Sequence, residues 1–474
     1  MYIRYLVTFF IIFSLFCKNS YASGLTLEGY LEQVRYGNLE YQAAIEKSEG
    51  AVERFAQGSL LFSPSAFSEF SWTDDRSLLL QLANLGTRNK IEELAAGISM
   101  LTRFGLLGKV SYNLQRTELF GAPPTFDPNN KFFFTFIALE FSESLWQDLF
   151  GKQSRLKEIS IEKGARATYT SEKYNSIVAL VHAEKAYWRL VAARELVKIH
   201  QESFDRAGKL KEWQEKRVRQ RLSEDSDLIQ AIAALKLREL DYKTAIIDLE
   251  IAERGFNEFR GRSDKIAKET VVFPALDEIL ARPLPEFKGA KLDVEAARHN
   301  VEVSRANLEI ARDKQLPTFS FYGSAALKAR DENLQIATGD VIGTEYPVIK
   351  LGLNLTIPLD FKTASDVKSG YLKEIIGTEK LYQRKLEEQE FQREDLIKKI
   401  IENRERLKIL VDLEGVQKIK LDTERERHKQ GRSTTYQVSL FEQDYLSAQI
   451  NKVSAVYQFL ALYAEAKKFQ SEES

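Results

Sequence analysis

The sequence predicts a mainly α-helical, internally duplicated chain with membrane-type β-strands inserted between its helices. Three observations carry this. Proline, at 10 residues in 474, is missing from residues 129–273 and from everything after Pro358, and such stretches without a helix breaker suit very long helices. Short segments between the helical tracts alternate apolar and polar residues, the period of a two-faced strand. Similar segments recur in the same order in both halves of the chain, as duplication requires.

Composition narrows the classes. The chain has 69 acidic and 68 basic residues and a formal net charge of −1, which argues against a nucleic-acid binder held by bulk charge. At 29% charged and 44% hydrophobic residues, it reads neither as a disordered chain nor as an inner-membrane bundle. Two methionines and four histidines are too few for a metal-rich site.

Residues 1–22 read as a secretory signal peptide. Met1–Arg4 carries one positive charge, a mostly apolar run of 13 residues follows from Tyr5 to Cys17, and Ser20-Tyr21-Ala22 places small residues for cleavage after Ala22. The run is short for a membrane anchor. Cys17, the one cysteine, follows Phe16 rather than the small residue of a lipoprotein signal, so it is expected to leave with the leader. Beyond the leader no run of 18 apolar residues occurs. The exported protein is therefore either soluble or inserted in a membrane as strands.

Two repeats follow, at residues 23–260 and 289–474, joined by a connector at 261–288. Leu39, Ala43, Ala44, Glu49 and Pro64 recur 253 positions later as Leu292, Ala296, Ala297, Glu302 and Pro317. Residues 138–146 (ALEFSESLW) match 352–360 (GLNLTIPLD) at an offset of 214. The polar break at 221–229 matches 431–438 at an offset near 209. The first insertion is thus 253 − 214 = 39 residues longer than the second. Each repeat opens with a helix (26–61 and 289–315) and continues through strands into a proline-free tract (152–220 and 362–430). A tip turn near 221–227 or 431–435 then leads to a return helix (227–259 and 436–469). At about 1.5 Å per residue each tract would span roughly 100 Å, longer than any single globular core, so the helices must pack side by side. Ala183, Ala186, Tyr187, Leu190 and Val191 form one apolar face of the first tract.

The clearest strand is 350–357, with Leu351, Leu353 and Leu355 on one face and Lys350, Gly352, Asn354 and Thr356 on the other. Its counterpart, 132–141, places Ile137, Leu139 and Phe141 on the apolar face. Partner strands are expected at 65–73 (Phe67, Phe70, Trp72) and 318–324 (Phe319, Phe321, Tyr322). Two hairpins cannot close a transmembrane barrel alone, since the smallest need about eight strands. Either they pack as a soluble sheet on the helices, or several chains pool their strands. Within the longer insertion, residues 76–130, the stretch 97–119 shows glycine punctuation and some alternation that could extend the hairpin, without a definite placement.

Taken together, these features resemble the TolC family of outer-membrane efflux and secretion channels, from Leu25 to about Phe469. QLPTFSFYG (315–323) is similar to the family's helix-to-strand passage. KLGLNLTIPLD (350–360) is similar to the strand that turns into the next helix, and HKQGRSTTYQVSLFEQDYLSAQ (428–449) resembles the periplasmic tip. The resemblance implies a homotrimer in which each chain gives four strands, as two hairpins, to one twelve-stranded barrel, with the helices forming a tapered tunnel. It implies a passive conduit in the outer membrane with a large periplasmic portion, serving a tripartite efflux pump or a type I secretion system. The implied partners are a periplasmic adaptor, an inner-membrane transporter and outer-membrane lipid, and no nucleic acid. Ile137, Leu139, Phe141, Leu351, Leu353 and Leu355 would face lipid. Arg221, Leu222, Ser223, Gly431, Arg432 and Ser433 would receive the adaptor.

Two departures stand out. Arg221-Leu222-Ser223 lacks the glycine common at the first tip, whereas Gly431 keeps it at the second. The family's acidic constriction residue past the second tip corresponds here to Gln437 or Leu440, while the first tip offers Glu224, Asp225 and Asp227. These carboxylates are candidates for a cation-favouring ring, or for helix capping. The alternative reading of the whole chain is a periplasmic adaptor or coiled-coil scaffold without a pore. No enzyme site, cofactor site or metal site is expected. The GxxxxGK[ST] and HExxH patterns and the GxSxG elbow are missing, and His182, His200, His299 and His428 are widely spaced. Glu387-Glu388 reads as a charged helix face, and Trp188 and Trp213 as packing residues.

Overall fold

The computed structural model describes residues 24–76, 88–121, 130–343 and 347–469; the expected leader, residues 1–22, lies outside them. In chain order the elements are α1 (Leu27–Gly37), α2 (Leu39–Glu53), a 3-10 stretch (Arg54–Phe62), β1 (Ser65–Asp75), β2 (Arg88–Leu101), β3 (Leu107–Phe120), β4 (Lys131–Ser144), α3 (Lys152–Arg219), α4 (Asp225–Phe259), α5 (Leu276–Leu280), α6 (Leu292–Asp313), β5 (Thr318–Asp331), α7 (Leu334–Asp340), β6 (Pro347–Thr356), α8 (Phe361–Lys429) and α9 (Thr435–Ala466). The chain is mainly α-helical with one antiparallel sheet. It divides into two compact units, one of Met1–Ser48, Thr170–Glu295 and Lys385–Ser474, the other of Glu49–Tyr169 and Ala296–Arg384.

The first unit is helical. Its core gathers apolar positions three and four apart on α3, including Ala183, Tyr187, Leu190 and Val191, against Ile400 and Leu407 of α8 and Phe459 and Leu460 of α9. Trp188 is buried there, as a packing residue should be. Tyr30 stacks on Phe256 at 4.2 Å, and its hydroxyl donates to the Phe256 carbonyl at 3.1 Å. Burial raises the Tyr30 phenol well above its ordinary range. Beside it, Arg260 is buried and bonds Glu269 and Asn257, so its charge is paired rather than stranded.

The expected unbroken helix at 26–61 is divided in three. Asn38 is extended, with φ −82° and ψ 114°. Its Oδ1 accepts the Tyr41 amide at 2.8 Å and its Nδ2 donates to the Phe259 carbonyl at 2.9 Å. A side chain that bonds local backbone in this way competes with helix continuation. Gly37 explains the rest. A Cβ there would lie 2.1 Å from the Arg260 carbonyl oxygen, and one on Gly261 (φ +69°) would lie 2.1 Å from the Gly37 carbonyl oxygen.

The second unit holds a six-stranded sheet in the order β1-β2-β3-β4-β5-β6, every neighbouring pair antiparallel. This corrects the expectation of two hairpins and four strands per chain. β1 does not pair with β4; β2 and β3 lie between them. Those two strands of 14 residues each account for most of the extra 39 residues of the first insertion. Their alternation was hard to read because Glu92, Arg116 and Glu118 interrupt the apolar face. In the fold these charges meet and offset one another, with Arg116 3.0 Å from Glu92 and also bonded to Glu118. α7 packs on β4 and β5, and Thr135 donates to its Ala337 carbonyl. The sheet passes back to helix at two aspartates. Asp148 accepts the Gln153 and Ser154 amides at 2.6 and 3.1 Å, and Asp360 accepts the Thr363 amide at 3.0 Å.

Candidate functional site

The two tips close with the same backbone motif. At the first, the Leu222 amide bonds the Arg217 carbonyl and the Arg221 amide the Val218 carbonyl, both at 2.9 Å. At the second, the Arg432 amide bonds the Arg427 carbonyl at 2.9 Å and the Gly431 amide the His428 carbonyl at 3.0 Å. Both are the six-to-one and five-to-two pairs of a Schellman cap, whose C′ residue must be left-handed. Gly431 takes φ +71° freely; Arg221 takes φ +55° although its Cβ disfavours it. The missing glycine has therefore not changed the turn.

The starts of α4 and α9 differ more. Thr434 and Gln437 form a reciprocal capping box, so Gln437 is engaged with the backbone of its own helix. The position 434 − 210 = 224 holds Glu224, whose side chain makes no capping bond. Asp227 is read from the sequence as a helix cap or as part of an acidic ring. Its carboxylate instead accepts the Ser223 hydroxyl at 2.8 Å, while Glu224 and Asp225 stand exposed. Ser433 donates to Glu424 and to Gln437. Arg221, Leu222, Gly431 and Arg432 are exposed, Ser223 and Ser433 half-buried, and Leu440 exposed.

Behind the turns, four helices are bound together by polar side chains. Glu442 of α9 accepts from Arg206 of α3 at 3.1 Å and from Arg425 of α8. Arg238 of α4, almost fully buried, bonds Asp241 at 2.9 Å and Gln443 of α9. Gln214 of α3, 1% exposed, donates to Thr435. His428 packs against Trp213 with ring centres 4.4 Å apart. Burial first, and then the charge of Arg217, hold the His428 imidazole below its ordinary range, against the opposing pull of Asp227 and Glu424. A pocket of about 540 Å³ opens here, with Leu210, Trp213 and Val438 on its apolar side and Arg206, Lys209 and Lys429 among its cations. The sequence gives Trp213 as a packing residue and His428 only as one of four widely spaced histidines. The two meet across 215 positions (428 − 213), a separation that spacing rules cannot bridge.

The strand residues singled out in the sequence share one face of the sheet. Ile137, Leu139 and Phe141 stand opposite Leu327, Ala325 and Gly323, which pair in turn with Pro347, Ile349 and Leu351. Leu353 and Leu355 pair with Phe321 and Phe319 on the same face. Leu351, Leu353 and Leu355 are each more than half exposed. The opposite face carries Ser320, Ser324, Lys350, Asn354 and Thr356. Among the described residues no helix is long and apolar enough to cross a membrane.

No protein-family model matches the sequence, and no curated protein matches it. Solved structures do. The outer-membrane channel OprN aligns with a TM-score of 0.67 at 15% identity, over 94% of this chain and 89% of that one. The Campylobacter jejuni CmeC outer membrane channel aligns at 0.66 and 14% identity, over 96% and 89%. The outer membrane protein VceC from Vibrio cholerae aligns at 0.64 and 14% identity, over 93% and 96%.

Proposed function

We propose that this chain, whose fold is that of the TolC-like outer-membrane channels, is itself an outer-membrane channel: a passive conduit of a tripartite efflux pump or a type I secretion system. Support comes first from the likeness over 94% or more of the chain to two proteins described as outer-membrane channels, and over 93% to one described as an outer membrane protein. The observation that carries the reading is the sheet. Its one face is almost wholly apolar across β4, β5 and β6, and Leu139, Ala325, Ile349, Leu351, Leu353 and Leu355 on it are exposed, an arrangement that costs free energy in water and is favoured against lipid.

On this reading the chain is made in duplicate, exported behind its leader, and assembled as a homotrimer. A sheet of six strands leaves β1 and β6 as open edges, which lipid does not tolerate; three copies joined edge to edge remove them. The transport energy comes from an inner-membrane transporter, and a periplasmic adaptor docks on the exposed tip residues Arg221, Leu222, Gly431 and Arg432, with Ser223 and Ser433 fixing the turns. Glu224 and Asp225, exposed beside the first tip, form the acidic part of the constriction with a half-buried Asp227. Gln437 contributes through its hold on the second tip. Opening is a rearrangement of α3, α4, α8 and α9 about the Arg206–Glu442–Arg425 cluster.

Cell fractionation tests the reading. The expected result is a detergent-extracted, heat-modifiable trimer in the outer membrane. A soluble periplasmic species would overturn it in favour of an adaptor or scaffold.

A further inference from the structure

The pore wall is larger than the resemblance implies. We infer that the assembled barrel has eighteen strands, six from each of three copies, with β2 and β3 as full members of the membrane wall. The inference rests on the trimeric channel reading above and adds what that reading lacks, the role of the extra hairpin.

An inserted hairpin has three possible places: in the wall, folded into the lumen, or projecting into solvent. Its side chains decide among them. On one face β2 carries Leu94, Ala96, Ile98 and Met100, and the residues directly opposite on β3 are Leu114, Tyr112, Val110 and Gly108. Ile98 and Val110 are 58% and 51% exposed. On the other face stand Ala95, Gly97 and Ser99, opposite Asn113, Ser111 and Lys109. A lumenal plug or a solvent hairpin has no use for an exposed apolar stripe with a polar back; a wall strand requires both. The register carries the stripe across the whole sheet without a slip. Phe70 of β1 pairs with Leu94, Leu94 with Leu114, Ile98 with Val110, and Val110 with Leu139 of β4. One residue of slip would have turned the hairpin's apolar side to the polar face. The charged group Glu92–Arg116–Glu118 lies toward the end of the sheet where β1 turns into β2 and β3 into β4. Strands of 14 residues exceed the roughly 9–11 that cross a bilayer.

The open edges take further copies of this chain. β6 presents Ile349, Leu351, Leu353 and Leu355 on the apolar face and Lys350 on the polar face, and β1 presents Phe70 and Trp72 against Glu69. Edge to edge, these continue one apolar outer band and bring opposite charges to the inner side. Barrel diameter grows about linearly with strand number. Eighteen strands make the barrel roughly half again as wide as twelve, with about twice the cross-section. The barrel then sets no size limit on the cargo, and selection falls to the tips.

An environment-sensitive fluorophore tests this on the full-length protein in lipid vesicles, attached at Ile98→Cys or Val110→Cys on the hairpin, and at Leu353→Cys as a reference. The expected result is the same lipid-like, blue-shifted emission at all three, and imaging of the trimer in nanodiscs resolves eighteen strands. Lipid-like emission at Leu353→Cys with water-like emission at Ile98→Cys and Val110→Cys overturns the inference and leaves the channel reading standing. So does an image of a twelve-stranded barrel from three chains that exclude the hairpin; one from two complete chains overturns the inference and the trimer together. Water-like emission at all three sites overturns the channel reading itself. Should one label prevent assembly, the strand count in the unlabelled protein decides.

Discussion

Single residues at the tips show how little the turn depends on the amino acid that fills it. Arg221 holds φ +55° where Gly431 holds φ +71°, with the same pair of cap bonds. A non-glycine residue in that region costs about 1–2 kcal/mol, so Arg221→Gly is expected to stabilise the first tip by roughly 1 kcal/mol, read as slower amide exchange in the last turn of α3. Arg221 is exposed at the proposed docking tip, and the same variant is expected to weaken adaptor binding. His428 gives a pH dependence. Its folded-state imidazole titrates below the ordinary range, so the unfolded chain binds the proton more readily. Its contribution is complete above the ordinary histidine value of about 6.5 and is lost as pH falls through the lowered one. His200 and His299 are shifted the same way by burial. Tip amide protection, taken relative to the intrinsic exchange rate at each pH, is expected to fall between pH 7.5 and 5, and His428→Phe to flatten that change in α8 and α9 while leaving the regions around His200 and His299 as they were.

At the scale of elements, the polar bonds between helices and the two faces of the sheet make separable predictions. Glu442 neutralises Arg206 and Arg425 from a largely buried position. Glu442→Gln leaves both guanidinium groups short of charge and is expected to cost roughly 1–3 kcal/mol, measured as a lower threshold for protease cleavage within the tips. On β6, Leu353 lies on the apolar face and Asn354 on the polar face. Leu353→Lys is expected to cost roughly 2–4 kcal/mol in the membrane and to reduce trimer yield, whereas Asn354→Lys is tolerated. Equal loss from both would contradict the assignment of faces.

The elements also show what could be read from sequence. The long helices were legible because proline is missing where they run, and β6 because leucine alternates with lysine, glycine, asparagine and threonine from Lys350 to Thr356. The break at Asn38 was not legible, since it depends on the Phe259 carbonyl, 259 − 38 = 221 residues away. β2 and β3 were only half legible. Their stripe is diluted by alanine and glycine and ends in charges that pair only across strands. The tip turns were found by comparing the halves, but the pocket behind them was not, because its walls come from α3, α4, α8 and α9.

For the whole molecule, the proposed channel needs both a sheet in the membrane and tips that gate it. Glu224 and Asp225 are exposed, and Glu224 makes no side-chain cap to the start of α4. A channel whose narrowest point they line prefers cations. The Glu224→Gln, Asp225→Asn double variant is expected to reduce that preference with little effect on the trimer. Charge reversal at Arg221 and Arg432 together is expected to weaken adaptor binding and export without changing conductance. The most direct test of the central claim is single-channel recording in a planar bilayer on the purified protein, with its oligomer mass measured on the same sample. The account predicts a trimer that forms discrete, cation-preferring channels of small conductance, limited by the tips. A folded sample that neither partitions into the membrane nor conducts would contradict it.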